Sequence, residues 1–137
     1  QQKASVEVVS IVDVAVEECQ SRGFKKVGIL GVSVTMSDGL YEAPLRAVGI
    51  EPFTPNPADQ QGINDLLYSE VIHGKPTPET GDKMRVFIQK LKNARCDAFI
   101  AGCTEIPVVI TTEDESPLPF VDTTRLLAKR AFAKAIR

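Results

Sequence analysis

The segment FIAGCTEIPVVI, residues 99–110, places a thiol, a hydroxyl and a carboxylate side by side at Cys103, Thr104 and Glu105. The apolar run before them predicts a buried strand, and the residues after them predict a short helix. A cysteine between a strand end and a helix start meets unpaired backbone N–H groups, which favour the thiolate and lower the thiol pKa. The Glu105 carboxylate acts in the opposite direction. We interpret Cys103 as a candidate reactive residue rather than a packing residue.

A second polar loop, GVSVT at residues 31–35, follows another predicted buried strand. The hydroxyls of Ser33 and Thr35, with backbone N–H groups at a helix entry, suit a carboxylate or a phosphate. The loop is neither Gly-x-Gly-x-x-Gly nor followed by a Lys-Ser/Thr pair, so neither a dinucleotide nor a nucleoside triphosphate is predicted. Taken alone, it is more typical of an ordinary strand-to-helix turn.

The remaining candidate ligands are a single histidine and two further cysteines. His73 lies in the last turn of a predicted helix, where a cation usually complements the helix dipole. Its functional interpretation is a cation for a substrate carboxylate. Cys19, on an apolar helical stripe, and Cys96, at the start of a buried strand, are interpreted as packing residues. Such scattered residues predict neither a disulfide framework nor a zinc site.

The composition indicates one globular domain. The chain has 137 residues, of which 43% are hydrophobic and 25% charged, so we expect a folded core. A net charge of −2 without a basic stretch gives no electrostatic case for a nucleic-acid partner. With no apolar run of about 18 residues and no charged-then-apolar leader, we expect no membrane partner and a cytoplasmic location.

Strand and helix patterns alternate along the chain. The predicted strands lie within residues 25–31, 50–57, 96–102 and 117–122. The predicted helices lie at residues 5–22, 39–49, 61–74, 82–93 and 123–137, with Thr123 or Thr124 as the last N-cap and residues 76–81 as a surface connection. This alternation predicts an α/β fold with a parallel sheet of about four strands flanked by helices.

Ligands in such sheets bind beyond the carboxyl ends of the strands. That rule selects the loops at residues 31–38, 102–105 and 122–124. Each of the three carries hydroxyl or carboxylate side chains. The candidate thiol therefore lies where an α/β protein places its chemistry.

Three stretches together resemble the aspartate/glutamate racemase family. They are KKVGILGVSVTMSDGLYEAPLRAVGIEP, CDAFIAGCTEIPVVI with its Gly-Cys-Thr-Glu motif, and PLPFVDTTRLLAKRA. Their order and spacing match the second half of family members over nearly the whole chain. Glutamate racemases usually carry histidine after Gly-Cys-Thr, so Glu105 points to the aspartate or broad-specificity branch.

The resemblance implies a missing half. Family members are roughly twice this length, with two similar α/β domains and a site between them. We therefore expect residues 1–137 to form a single α/β domain equivalent to the C-terminal half, with the N-terminal domain and its catalytic Cys-Asn-Thr motif absent from this chain. Neither Cys19 nor Cys96 matches that first cysteine.

The implied reaction is cofactor-independent racemisation of a dicarboxylic amino acid by two opposed acid–base groups. Cys103 would be one of them. The implied substrate-binding residues are Thr104, Glu105, Ser33, Thr35 and His73, the last replacing a lysine common in the family. We expect residues 1–137 alone to be inactive.

Two alternative functions remain open, and the sequence also predicts that two copies of the chain associate. The chain could instead belong to a single-cysteine decarboxylase or isomerase of the same superfamily, or be a non-catalytic domain that binds a dicarboxylate or a partner chain. The final helix would lack the packing partner that it has in two-domain relatives. Its apolar face therefore predicts a homodimer. That face consists of Leu126, Leu127, Ala131 and Ala135.

Overall fold

The computed structural model describes residues 7–137. The strands are β1 (Lys26–Leu30), β2 (Glu51–Phe53), β3 (Ala98–Ala101) and β4 (Phe120–Asp122). The α-helices are α1 (Ile11–Ser21), α2 (Ser33–Ser37), α3 (Glu42–Ala47), α4 (Pro57–Leu66), α5 (Pro78–Asn93), α6 (Ile106–Val109) and α7 (Thr123–Ala135). A π-helical segment, Leu67–Ile72, continues α4, and a 3-10 turn, Glu113–Glu115, precedes β4.

The sheet is parallel throughout, in the order β2-β1-β3-β4, which confirms the predicted fold class. The chain runs outward from β1 to β2 and then crosses back to β3, so the strand order reverses between β1 and β3. The carboxyl ends of those two strands are in register, with Leu30 opposite Ala101. Open α/β sheets bind ligands at such a reversal point.

Both faces of the sheet are covered. One core cluster joins the sheet to α4, the π-helical segment, α5 and α6, and the other joins it to α1, α3 and α7. All four residues of β3 are buried, which explains the apolar run without alternation that marked this strand. A side chain at Gly28 would lie 2.7 Å from Leu91 Cδ1, so α5 packs closely on β1 because Gly28 has none.

Two helices begin earlier than predicted, each at a proline. The Asn56 side chain accepts a hydrogen bond from the Asp59 N–H at 2.9 Å, and Pro57 occupies the first turn of α4. A Thr77–Thr80 capping box likewise starts α5 at Pro78. The prediction that residues 76–81 are only a connection was therefore wrong for residues 78–81.

The start of α7 also differs from expectation. Asp122, not Thr123 or Thr124, caps the helix, because its carboxylate accepts a hydrogen bond from the Arg125 N–H at 3.0 Å. The Thr123 hydroxyl instead donates to the carbonyl oxygen of Ala101 at 3.0 Å. Asp122 therefore caps α7, and the adjacent Thr123 joins the start of α7 to the end of β3.

The expected exposed face of α7 is only partly exposed. Leu126 is half-buried against the core, and α7 packs along α1, with ion pairs from Arg130 to Glu17 and from Lys134 to Glu7. The expectation that Leu126 and Leu127 lack a partner was wrong, since both are half-buried within this chain. The exposed members of the predicted set are Ala131 and Ala135, together with the large side chains Phe132 and Ile136.

The outer edge of β4 is covered by an ion pair. Arg22 contacts both Glu113 carboxylate oxygens, at 2.8 and 3.1 Å. The same Arg22 donates to the Phe120 carbonyl oxygen at 3.3 Å, and the Phe120 N–H donates to Glu113 at 3.2 Å. Side chains therefore occupy the backbone positions that a fifth strand would use.

Within residues 7–137, none of the helices combines the length and the apolar character needed to cross a membrane.

Candidate active site

The loops after β1 and β3 meet directly at the reversal point. The Gly102 N–H donates to the Leu30 carbonyl oxygen at 2.8 Å. A side chain at Gly102 would lie 2.6 Å from Thr35 Cγ2, and one at Gly31 would lie 2.9 Å from the same residue. Thr35 therefore packs against a glycine from each strand end, which places it beside the residue preceding Cys103.

Cys103 is half-buried, with its inner side against the core cluster that includes Ile106. Burial raises the pKa of the thiol to about 11, and the charge of Glu105 raises it further. Backbone N–H groups of Ile106 and Glu105 oppose this shift. Both influences expected from the sequence are present, but burial outweighs the N–H groups, because α6 has only four residues.

Thr104 and Glu105 pair with each other. The exposed Thr104 hydroxyl donates to the Glu105 carboxylate at 2.9 Å. A substrate carboxylate would therefore have to compete with Glu105 for the Thr104 proton. The motif brings the three polar groups together, but two of them already share a hydrogen bond.

Two backbone donors that follow β1 are occupied. The Ser33 N–H donates to Asn64 Oδ1 at 2.8 Å, and the Thr35 N–H donates to the Val32 carbonyl oxygen at 2.9 Å. Neither the Ser33 nor the Thr35 hydroxyl is hydrogen-bonded to any group in the part of the chain that is described. The two hydroxyls are thus available donors, whereas the N–H groups of Ser33 and Thr35 are not.

His73 contacts Tyr68 rather than the residues of this cluster. It is exposed at the end of the π-helical segment, where its N–H donates to the Tyr68 carbonyl oxygen at 3.0 Å and its ring lies 6.0 Å from the Tyr68 ring. No hydrogen bond or ion pair within residues 7–137 joins its ring to the other predicted site residues. The structure therefore brings Thr35 to the Gly102–Cys103 turn without showing such a link for His73.

Sequence analysis missed three residues around the site: Asn64, Tyr41 and Thr123. Asn64 and Tyr41 fell within predicted amphipathic helices, and Thr123 was interpreted as a cap within the selected loop at residues 122–124. Tyr41 and Thr123 are almost completely buried behind Gly102. Burial raises the pKa of Tyr41, the Thr123 hydroxyl opposes that shift, and the charge of Cys103 adds to it. Two adjacent threonines after β4 were the available signal, and the structure buries Thr123 and leaves Thr124 exposed.

The site can supply one accessible thiol and several neutral donors. Cys103 lies in the turn after β3, and Ser33 and Thr35 lie in α2, which follows β1 at the same carboxyl edge of the sheet. Among residues 7–137, no three His, Cys, Asp or Glu side chains cluster closely enough to hold a metal ion. Proton transfer to or from a bound carboxylic acid is the chemistry for which these groups are suited.

Comparison with known proteins decides the family. The profile described as Asp/Glu/hydantoin racemase matches residues 1–131. The chain belongs to this family. The resemblance seen in the three stretches is thereby confirmed.

Solved structures of similar proteins share the fold. An aspartate racemase homologue from Pyrococcus horikoshii OT3 is 26% identical, with a TM-score of 0.87 over 98% of this racemase-family chain and 58% of its own. A Yersinia pestis protein, provisionally assigned as an Asp/Glu racemase, is 30% identical, with a TM-score of 0.85 over 96% of this chain and 57% of its own. The chain thus spans a little more than half the length of these relatives.

A shorter relative also matches. A protein of Pectobacterium carotovorum subsp. carotovorum, described only by its position in the pnlA 3′ region, is 27% identical over 136 residues. The match covers 94% of this chain and 85% of that protein. This chain thus covers most of the length of that relative, unlike that of the solved structures.

Proposed function

We propose that this chain forms one half of the active site of a cofactor-independent racemase of the aspartate/glutamate type. Cys103 transfers the proton at Cα, and the opposing group belongs to a domain outside this chain. The observation that carries the proposal is the contact between Thr35 and the Gly102–Cys103 turn at the strand-order reversal. A thiol and free hydroxyl donors are held there by two rigid strand ends.

The hydroxyl donors have a defined task in this reaction. Removing the α-proton of an amino acid leaves negative charge that is shared with its carboxylate, and preorganised donors stabilise that charge. Thr35 and Ser33 supply unpaired hydroxyls for this purpose, and Thr104 supplies a third after exchanging its bond to Glu105. His73 and Glu105 contact the remainder of the substrate once it is bound.

The protonation state of Cys103 assigns its first step. With its pKa raised to about 11 by burial, the thiol is protonated near neutral pH. Cys103 therefore begins as the proton donor, and the opposing group begins as the base. The two exchange roles after each inversion, as the reversibility of a racemase requires.

The opposing group cannot come from the other cysteines of this chain. Cys19 is fully buried, and Cys96 is 5% exposed at the opposite end of β3. Inversion of Cα requires proton donors on both faces of the substrate. Residues 1–137 alone therefore carry out negligible racemisation.

A second candidate is binding of a dicarboxylate without racemisation, or single-thiol chemistry such as decarboxylation. It is favoured by the presence of only one accessible thiol in the described part of the chain.

Free thiols at all three cysteines also support the proposed cytoplasmic location. Exposed Phe132 and Ile136 support the proposed homodimer.

Solvent-deuterium exchange tests the function. Each enantiomer of aspartate and glutamate is incubated in deuterated buffer with the longest natural form of the protein, and Cα exchange is followed by NMR with inversion measured in parallel. Cys103→Ser should lower inversion by about three orders of magnitude or more, because an alcohol is a far weaker acid than a thiol. Cys96→Ala is the matched control and should retain inversion.

The outcomes separate the candidates. Inversion that persists in Cys103→Ser would exclude Cys103 as an acid–base group. Substrate binding without exchange would favour the binding domain, and loss of carbon dioxide would favour a decarboxylase. Exchange without inversion in residues 1–137 alone would show that one base acts from one face.

A further inference from the structure

Asn64 is a half-buried polar residue of α4, set among residues that pack on the core. Ile63, Leu66 and Leu67 around it are buried. The Asn64 Oδ1 accepts a hydrogen bond from the Ser33 N–H at 2.8 Å. Because a backbone N–H can only donate, this bond fixes which end of the amide is the oxygen. The orientation of the Asn64 amide is therefore set by its contact with α2.

The Asn64–Ser33 hydrogen bond differs from an ordinary helix cap. The Asn56 side chain, for example, accepts from an N–H three residues further along its own segment. Val32, which precedes α2, has no side-chain acceptor, and the acceptor comes instead from Asn64, 31 positions away. A bond across that separation joins α2 to α4 as well as satisfying an N–H of the first turn. Asn64 thus holds the start of the helix that carries the Ser33 and Thr35 hydroxyls.

The other end of the Asn64 amide is not used by the fold. No hydrogen bond joins Nδ2 to a group within residues 7–137, and no buried side-chain nitrogen or oxygen among these residues lacks a partner. Nδ2 is therefore open to solvent. Because Nδ2 and Oδ1 are bonded to the same carbon, Nδ2 lies next to Ser33. The amide occupies one backbone donor and presents two side-chain N–H donors beside it.

Asn64 and Cys103 lie on the same side of the sheet. Ile63, which precedes Asn64, belongs to the core cluster that joins the sheet to α4, the π-helical segment, α5 and α6. Cys103 packs against that cluster, and so does Val32, which precedes Ser33. The free donors of Asn64 and Ser33 and the half-buried thiol are therefore carried by elements that surround one cluster.

We infer that Asn64 is a further substrate-binding residue: its Oδ1 fixes the start of α2, and its Nδ2 donates to the same carboxylate group as the free Ser33 hydroxyl. The identity of the ligand, a dicarboxylate, rests on the proposed function. A carboxylate accepts several hydrogen bonds through two oxygens, so an amide and a hydroxyl side by side suit it. Neutral donors also stabilise the negative charge that the carboxylate gains as the α-proton leaves.

An Asn64→Asp substitution separates the two ends of the amide. A carboxylate can still accept from the Ser33 N–H, but it replaces the N–H donors with a negative charge. Binding of succinate, a dicarboxylate with no stereocentre, is measured by calorimetry on the longest natural form of the protein. Asn64→Asp should raise the succinate dissociation constant about tenfold or more at pH 7, because donors are lost and like charges repel. That ratio should shrink when about 0.5 M sodium chloride is added, because salt screens the repulsion.

Asn56→Asp is the matched control. The Asn56 Oδ1 likewise accepts from a backbone N–H, that of Asp59, at 2.9 Å. Its Nδ2, however, already donates to the Asp59 carboxylate at 3.3 Å. Asn56 precedes Asn64 by about 12 Å along α4, at a rise of about 1.5 Å per residue. Asn56→Asp adds the same charge to the same helix, and succinate affinity should stay within about twofold of that of the unsubstituted protein.

Amide hydrogen exchange, followed by NMR, tests the contact with α2. Asn64→Leu removes the acceptor, so exchange of the Ser33 N–H should accelerate about tenfold or more. Asn64→Asp keeps an acceptor and should leave that exchange rate near the value of the unsubstituted protein. Succinate binding should weaken in both variants, because both lose the Nδ2 donors.

Four results would overturn this assignment. Equal succinate affinity in Asn64→Asp and the unsubstituted protein would exclude Asn64 from the carboxylate site, and no succinate binding in any form would remove that site. An equal loss in Asn56→Asp would assign the effect to overall charge. Unchanged Ser33 exchange in Asn64→Leu would show that Asn64 does not hold α2.

The binding role of Asn64 and the proposed racemase activity can fail separately. If the succinate effects are present but neither aspartate nor glutamate is racemised, the proposed function fails and the binding role stands. If racemisation depends on Cys103 and succinate affinity does not depend on Asn64, the binding role fails and the proposed function stands.

Discussion

The two ends of β3 carry the same chemical group in opposite surroundings. Cys96 precedes the strand and Cys103 follows it, and burial raises the pKa of each thiol to about 11. Cys96 is 5% exposed, whereas Cys103 is half-buried beside a loop from the neighbouring strand. The two thiols thus have pKa values that are raised alike, but they differ in exposure to solvent.

At the amino end, polar groups are used to hold strands together. The Asp97 carboxylate accepts hydrogen bonds from the Lys25 and Lys26 N–H groups, at 2.6 and 2.9 Å. The Arg22–Glu113 pair is used in the same way on the Phe120 backbone. These side chains therefore already hydrogen-bond to the backbone of the chain.

At the carboxyl end, hydrogen-bonding capacity is left unused. The hydroxyls of Ser33 and Thr35 have no partner within residues 7–137, and the Thr104 hydroxyl is satisfied only by its neighbour Glu105. The comparison shows that acidity does not distinguish the candidate thiol from Cys96. Access to solvent and free neighbouring donors do.

The largest expected difference is in alkylation of the two thiols. Both pKa values are raised to about 11, so the thiolate fractions are similar and a large difference in rate reports access. We expect Cys103 to react with iodoacetamide at pH 9 about two orders of magnitude faster than Cys96. Its rate should rise with pH until the pH approaches 11, since a raised thiol pKa keeps the reactive form scarce below it. Comparable alkylation rates for Cys103 and Cys96, measured by mass spectrometry, would show that the two thiols do not differ in access.

A methyl group added at Gly102 should damage the carboxyl end. Gly102→Ala forces a Cβ against Thr35 and the Leu30 carbonyl oxygen, so we expect a loss of about 2 kcal/mol in the free energy of unfolding. Gly28→Ala is the matched control, because its methyl meets only the flexible end of Leu91 and should cost about half as much. Urea unfolding measures both. Equal costs would mean that the loop contact is not rigid.

At the amino end, one substitution should stabilise the chain. Arg95 has a φ of 65°, a left-handed conformation that L-residues adopt at a cost. Arg95→Gly should therefore raise the free energy of unfolding by about 0.5–1 kcal/mol. Arg95→Ala removes the charge but keeps the strain, so it should give no such gain in the same urea titration. A gain in both variants would assign the effect to charge.

The smallest effect concerns pH and the Arg22–Glu113 pair. Arg22 holds the pKa of the Glu113 carboxyl below its ordinary value of 4.5. A lowered carboxyl pKa stabilises the fold above the unfolded value and loses that contribution as pH falls through the folded value. Glu113→Gln should cost about 0.5–1 kcal/mol at pH 7, because the pair is partly exposed. The two unfolding curves should converge as pH falls through the lowered pKa of Glu113, and a constant gap would argue against the ion pair.

Sequence patterns predicted the architecture because buried parallel strands leave a strong signal. The run around Ala98–Ala101 has no alternation, and the helices between strands have clear apolar stripes. The family motif located the Cys103 turn in the same way. Those signals depend on neighbours close in sequence.

What sequence patterns did not predict depends on contacts between distant residues. Asn64 reaches the Ser33 N–H across 31 positions, and Thr123 reaches Ala101 across 22. The pKa of Cys103 is raised because the fold buries its thiol, and no local sequence pattern predicts that burial. The π-helical segment at Leu67–Ile72 likewise has no distinct period in the sequence.

The covered edge of β4 limits how this chain can polymerise. A fifth strand there would have to displace Arg22 and Glu113 from the Phe120 backbone. At the opposite edge, the Glu51 N–H points inward to the Lys25 carbonyl oxygen, so the outward position belongs to Pro52, which has no N–H to offer. Neither edge of the sheet is a ready template for another strand. Open-ended fibres built by strand addition are disfavoured, and association of folded chains is directed to their helical surfaces.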